Sequence, residues 1–87
     1  MRPILHGGRL TLYSLPQYRG HEVTLTRNTP NLRFMGFNDS AMSLRVRGRW
    51  RLCEHSDYRG HCVTVRHDQS TIFGLRGRIS SARFEGR

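Results

Sequence analysis

The chain has 87 residues, 36% hydrophobic and 24% charged, with fifteen Arg, no Lys, six acidic residues and a formal charge of +9. That length makes one small domain with a modest core, and the composition excludes a disordered chain. No apolar run approaches the roughly 20 residues of a membrane helix, and Met1 to Gly8 holds no apolar stretch long enough for a signal peptide.

Residues 1–8 read as a tail. From there the pattern is β. Arg9-Leu10-Thr11-Leu12-Tyr13 alternates polar and apolar, as a half-buried strand does, and Glu22-Val23-Thr24-Leu25-Thr26 repeats the alternation. Between them, Ser14 to Gly20 is a connection ending in a glycine, which tolerates a left-handed bend. Asn28-Thr29-Pro30-Asn31 reads as a loop with room for a helical turn. Ser43-Leu44-Arg45-Val46-Arg47 is a further strand, and Arg47-Gly48-Arg49 leads without a domain boundary into one carrying Trp50 and Leu52. Glu54 to Gly60 is a second connection, His61 to Arg66 is its return strand with Val63 and Val65 inward, and Asp68-Gln69-Ser70-Thr71 is again a loop. The expectation is four short strands per half, eight in all, in a Greek-key sandwich.

The two halves are copies. Tyr18-Arg19-Gly20-His21 recurs as Tyr58-Arg59-Gly60-His61, 40 positions later. In that register Leu12 falls on Leu52, Tyr13 on Cys53, Val23 on Val63 and Thr24 on Thr64; after a two-residue gap, Gly36 falls on Gly74, Ser43 on Ser81 and Arg45 on Arg83. One motif spans about 9–48 and the other about 49–87, within one domain of 9–87. Tyr13, Tyr18, Tyr58, Trp50, Leu12, Leu52, Val23, Val63, Leu44 and Val46 are the expected core.

These residues resemble the βγ-crystallin family, whose Greek-key motif runs aromatic, four residues, aromatic, any residue, Gly. Tyr13-Ser14-Leu15-Pro16-Gln17-Tyr18-Arg19-Gly20 matches throughout, and Cys53 to Gly60 matches except at Cys53. Leu32 to Asp39 looks like the family's approach to its fourth strand, and the resemblance covers about residues 9 to 86. It implies two intertwined four-stranded Greek keys. In the corner, Tyr13 stacks on the hairpin bearing Tyr18 while Gly20 folds beneath the ring; Tyr58 and Gly60 repeat the arrangement.

Many members bind calcium through a segment written N/D-N/D-x-x-S/T-S. Asn38-Asp39-Ser40-Ala41-Met42-Ser43 keeps the first pair and loses the hydroxyl to Met42; Arg76-Gly77-Arg78-Ile79-Ser80-Ser81 keeps the hydroxyls and loses the pair. The resemblance implies crosswise assembly: Asp39 with Ser80, the Arg78 carbonyl and a hairpin carbonyl near Ser14. The reciprocal pairing of Gly77 with Met42 has no side-chain oxygen, so at most one calcium site is expected. It is a weak one, because Arg76 and Arg78 oppose a dication. The plainer alternative is that Asp39 and Ser80 only hydrogen-bond the loop backbone.

Cys53 and Cys62 end one strand and begin its partner, so they should face each other and form a disulfide; the alternative is two buried thiols. A bridge favours an oxidising compartment, and the expected location is secreted or periplasmic. Two cysteines do not make a zinc site; His55, His61 and His67 lie nearby, but His61 and His67 are spaced as surface residues. No phosphate loop or nucleophile elbow is present. The expected function is therefore non-enzymatic, structural or stress-related, in a monomer without a membrane span. An alternative is a secreted inhibitor or antimicrobial protein that binds an acidic protein or anionic surface through Arg. Nucleic acid is disfavoured, since the aromatic residues are committed to corners and core.

Overall fold

The computed structural model describes residues 8–72 and 74–86. Of the expected tail, all but Gly8 lies outside the described residues. Six strands form among the described residues: β1 Arg9–Leu15, β2 Arg19–Leu25, β3 Ser43–Arg47, β4 Arg49–His55, β5 Arg59–Val65 and β6 Ser81–Gly86. They make two antiparallel three-stranded sheets, ordered β2-β1-β3 and β5-β4-β6.

Among the described residues the expected eight strands are thus six, and the other two are reduced to single bridges. Thr29 pairs with Ala82 in β6, and Gln69 pairs with Leu44 in β3. Each loop therefore extends the sheet of the opposite half. Pro30 and Asp68 stand beside these bridging residues and limit ladder growth, since proline lacks a donor and aspartate favours turns. The helical turn comes a few residues later than expected, at Leu32–Met35, capped by the Asn31 side chain accepting from Arg33 N–H and closed by Gly36 in the left-handed region.

Pseudo-twofold symmetry is written bond by bond. Asp39 N–H donates to the Ile79 carbonyl at 3.0 Å, and Gly77 N–H to the Ala41 carbonyl at 2.8 Å. Gln17 N–H reaches the Ser70 carbonyl and Asp57 N–H the Pro30 carbonyl, each at the same offset. Both halves share one core. Leu10, Leu12, Leu25 and Leu44 from the first half pack with Trp50, Leu52, Val65 and Ala82 from the second.

Much of that core comes from the loops. Leu32, Phe37, Ala41, Ile72, Leu75 and Ile79 are all buried although none lies in a strand. Among the expected core residues, Tyr13, Trp50, Leu12, Leu52 and Leu44 are buried. Tyr18, Tyr58, Val23, Val63 and Val46 are only half-buried. Val23 and Val63 sit on β2 and β5, the outer strands of their sheets.

Candidate cation site

Each hairpin folds back on its sheet. Gln17 and Tyr18 have φ of 63° and 60°, and Asp57 and Tyr58 have φ of 58° and 61°. A side-chain-bearing residue pays roughly 1–2 kcal/mol for such a conformation. Buried serines hold both turns: Ser43 Oγ donates to the Leu15 carbonyl at 2.6 Å and accepts Tyr18 N–H at 3.0 Å, while Ser81 Oγ donates to the His55 carbonyl at 2.7 Å and accepts Tyr58 N–H at 3.1 Å. The sequence signal for these two residues was their alignment across the repeat, each as the last residue of its N/D-N/D-x-x-S/T-S-like segment.

The Tyr13 ring meets Tyr18 edge-on with centroids 5.8 Å apart. Gly20 has φ +86°, and a Cβ there would collide with Ser14 Oγ; at Gly60, φ +83°, it would strike the His55 ring. Where Tyr13 faces Glu22 in the first half, Cys53 faces Cys62 in the second, and the two are joined by a disulfide.

An open cleft of about 520 Å³ lies at the seam between the halves, lined by Asn31, Asn38, Asp39, Glu54, Arg78 and Ser80 among others. Asp39 sits at φ 54°, held by its N–H bond to Ile79. Both carboxylate oxygens accept hydrogen bonds: Oδ1 from Ser80 Oγ at 3.3 Å, Oδ2 from Asn38 Nδ2 at 3.1 Å. Ser80 is fixed through its backbone, its N–H on the Cys53 carbonyl at 2.9 Å and its carbonyl accepting Leu32 N–H at 2.8 Å. The structure thus brings Asp39, Ser80 and Arg78 to one cleft.

Ser14 is not among the cleft-lining residues. It belongs to the first hairpin, where its hydroxyl accepts His21 N–H at 2.9 Å. The reason is connectivity: Ser80 bonds back to Cys53 in its own half, as Met42 N–H bonds to the Tyr13 carbonyl in the other. The hairpin residue beside Ser80 is accordingly Glu54, which stands 40 positions after Ser14. Arg78 Nη1 donates to Glu54 Oε2 at 3.1 Å, and His55 Nε2 lies 3.8 Å from Oε1. The Arg78 hydrogen bond, helped by the His61 backbone N–H and the charge of His55, holds the Glu54 carboxyl below the usual carboxylate range against the opposing effect of desolvation.

At the symmetry-related position, a Cβ on Gly77 would stand 3.7 Å from Met42 Sδ. The residues of the reciprocal pairing are therefore adjacent, and neither offers a side-chain oxygen. Arg76 lines a second depression with Thr71, Ile72, Gly74 and Arg78, the last of which also borders the cleft. His55, His61 and His67 are exposed, and among the described residues no group of three or more His, Cys, Asp or Glu converges.

The arginines spread over both outer faces. Arg9 stands directly opposite Arg47 on the first sheet and Arg51 opposite Arg83 on the second. Arg45 stacks on Tyr18 at 4.0 Å and lies 3.7 Å from Asp68; Arg83 stands 5.6 Å over Tyr58 and 3.4 Å from Glu85. No helix among the described residues is long and apolar enough to cross a membrane.

Comparison with known proteins agrees with this architecture. A family model described as Beta/Gamma crystallin matches residues 9–84. The chain is 35% identical over 77 residues to Gamma-crystallin M2 of Chiloscyllium indicum, covering 79% of this chain and 44% of that protein. It is 46% identical over 50 residues to Beta/gamma crystallin domain-containing protein 2 of Homo sapiens, covering 56% of this chain and 3% of that protein. The chain thus spans less than half the length of these curated relatives. Among solved structures, a beta gamma crystallin from Ciona intestinalis superposes with a TM-score of 0.86 at 20% identity, covering 90% of this chain and all of that one. A βγ-crystallin from an archaeon gives 0.80 at 22% identity, covering 92% of this chain and 100% of that one. At these identities the structural likeness speaks for the fold.

Proposed function

The chain belongs to the Beta/Gamma crystallin family, and from that premise we propose that it is a non-enzymatic, monomeric domain with a structural or stress-related role and at most one weak calcium site. The observation that carries the calcium reading is the Ser80 Oγ to Asp39 Oδ1 contact of 3.3 Å, which spans the seam between the halves.

The donors fit a hard cation in kind. Calcium takes six to eight oxygen ligands at about 2.3–2.6 Å, and oxygens as close as these two can share one ion. The Asp39 carboxylate, Ser80 hydroxyl and Arg78 carbonyl would hold it, with Glu54 in the hairpin position and water completing the shell. Bound calcium would supply charge neutralisation and a cross-link between the halves. One committed carboxylate makes that site weak, and Arg78 makes it weaker.

Calorimetric titration of apo protein with calcium chloride, paired with thermal melts in calcium and in chelator, tests the reading. One ion with a small upward melting shift is expected. No heat and no shift at millimolar calcium would remove it, and two ions would show that the ligands lie elsewhere. The alternative, a secreted inhibitor or antimicrobial protein, needs a basic patch. The Arg9–Arg47 and Arg51–Arg83 pairs lie on opposite faces of the sandwich, which favours the structural reading.

A further inference from the structure

Two carboxylates line the seam cleft, Asp39 and Glu54, yet the chain brings its own cation to one of them. The Glu54 side chain is 25% exposed and the Arg78 side chain 60% exposed, so the carboxylate is the more enclosed partner and the guanidinium reaches in from outside. Among the described residues Asp39 carries no such partner; its oxygens accept from the neutral Ser80 and Asn38 side chains. The first half has no counterpart to the ion pair, because Ser14 stands where Glu54 does, and Ser40 where Arg78 does.

We propose that Arg78 is a tethered counter-ion: by occupying Glu54 it leaves the cleft with one available carboxylate and so sets its affinity for divalent cations low. This rests on the calcium reading above and identifies the residue that tunes it. The effect is local. Arg76 lines a neighbouring depression that Arg78 also borders, but Arg76 is not among the residues lining the cleft, and the ion pair to Glu54 is made by Arg78. Arg33 and His55 also line the cleft, but Arg33 makes no ion pair with Glu54 and His55 stands 3.8 Å from it, farther than Arg78. Removing the Arg78 side chain frees Glu54 and removes a positive charge while keeping the Arg78 backbone carbonyl in place.

The test is calcium chloride titration of wild type, Arg78→Gln, Arg76→Gln and the double variant Glu54→Gln/Arg78→Gln, with melts in chelator and in calcium as a second readout. Because Arg78 is an exposed side chain, the variants should fold, and near-ultraviolet circular dichroism checks that they do. Arg78→Gln should bind about tenfold more tightly, the size expected for one charge removed near a dication in a largely aqueous setting. Its calcium-dependent melting shift should grow accordingly. Arg76→Gln should stay within about twofold of wild type, because Arg76 does not line the cleft and salt screens exposed charges, and the double variant should lose most of the gain. Binding by wild type that Arg78→Gln leaves unchanged overturns the inference alone. So does an equal gain in Arg76→Gln, or a gain that survives loss of Glu54. No binding by any of the four proteins overturns the calcium reading and this inference together.

Discussion

Ser80 Oγ donates to Asp39 Oδ1 at 3.3 Å across 41 positions of sequence, joining the surviving half of one degenerate segment to the surviving half of the other. If an ion uses this pair, calcium at about ten times Kd should add only ~1.4 kcal/mol of stability. Asp39→Ala should abolish the calcium-dependent melting shift. Met42→Ser alone should not create a second site, because its neighbour Gly77 brings no oxygen. Met42→Ser with Arg76→Asn and Gly77→Asp should, since Asp39 shows that an aspartate is accommodated at the equivalent left-handed position. A triple variant that still binds one ion would refute the crosswise assignment.

Ser43 and Ser81 are each fully buried and each satisfy one carbonyl and one amide of a folded hairpin. Removing either hydroxyl strands those groups, at a cost of about 1–3 kcal/mol. Ser43→Ala should be the worse of the two, because the second hairpin keeps its disulfide. Urea unfolding of both variants measures this; equal losses would show that the disulfide does not compensate.

The Cys53–Cys62 bridge closes a short loop, with a sequence separation of 9. Replacing both cysteines with alanine should lower stability by ~2–3 kcal/mol on the chain-entropy account. Alkylation of denatured, unreduced protein should label no thiol; two labelled cysteines by mass spectrometry would contradict the bridge.

Arg78 depresses the Glu54 carboxyl below its ordinary 4.5 in the folded state. A depressed acid contributes stability that is present above the unfolded value and is lost as pH falls through the folded one. The Arg78 guanidinium is largely in solvent, which screens the pair, so the effect should be small. Denaturant midpoints between about pH 3 and pH 6 should fall less steeply with acid in Glu54→Gln than in wild type. Identical slopes would mean that the ion pair contributes nothing in solution.

The sequence by itself determined the duplication, the strand type and the glycine corners. The 40-residue repeat and the period-two alternation are local signals, and Gly20 and Gly60 mark bends that other residues resist. Pairing Asp39 with Ser80 was implied by the family resemblance, and the two segments retain complementary halves. Tertiary structure decided the rest. That Glu54 rather than Ser14 borders the cleft follows from Ser80 bonding to Cys53, and that Leu32, Phe37, Leu75 and Ile79 build the core follows from loops crossing to the other half's sheet. Strand periodicity cannot register apolar residues held in irregular backbone. Nor can composition foresee that Arg78 meets a carboxylate 24 positions away, since that contact exists only once β6 has paired with β4 in the second half.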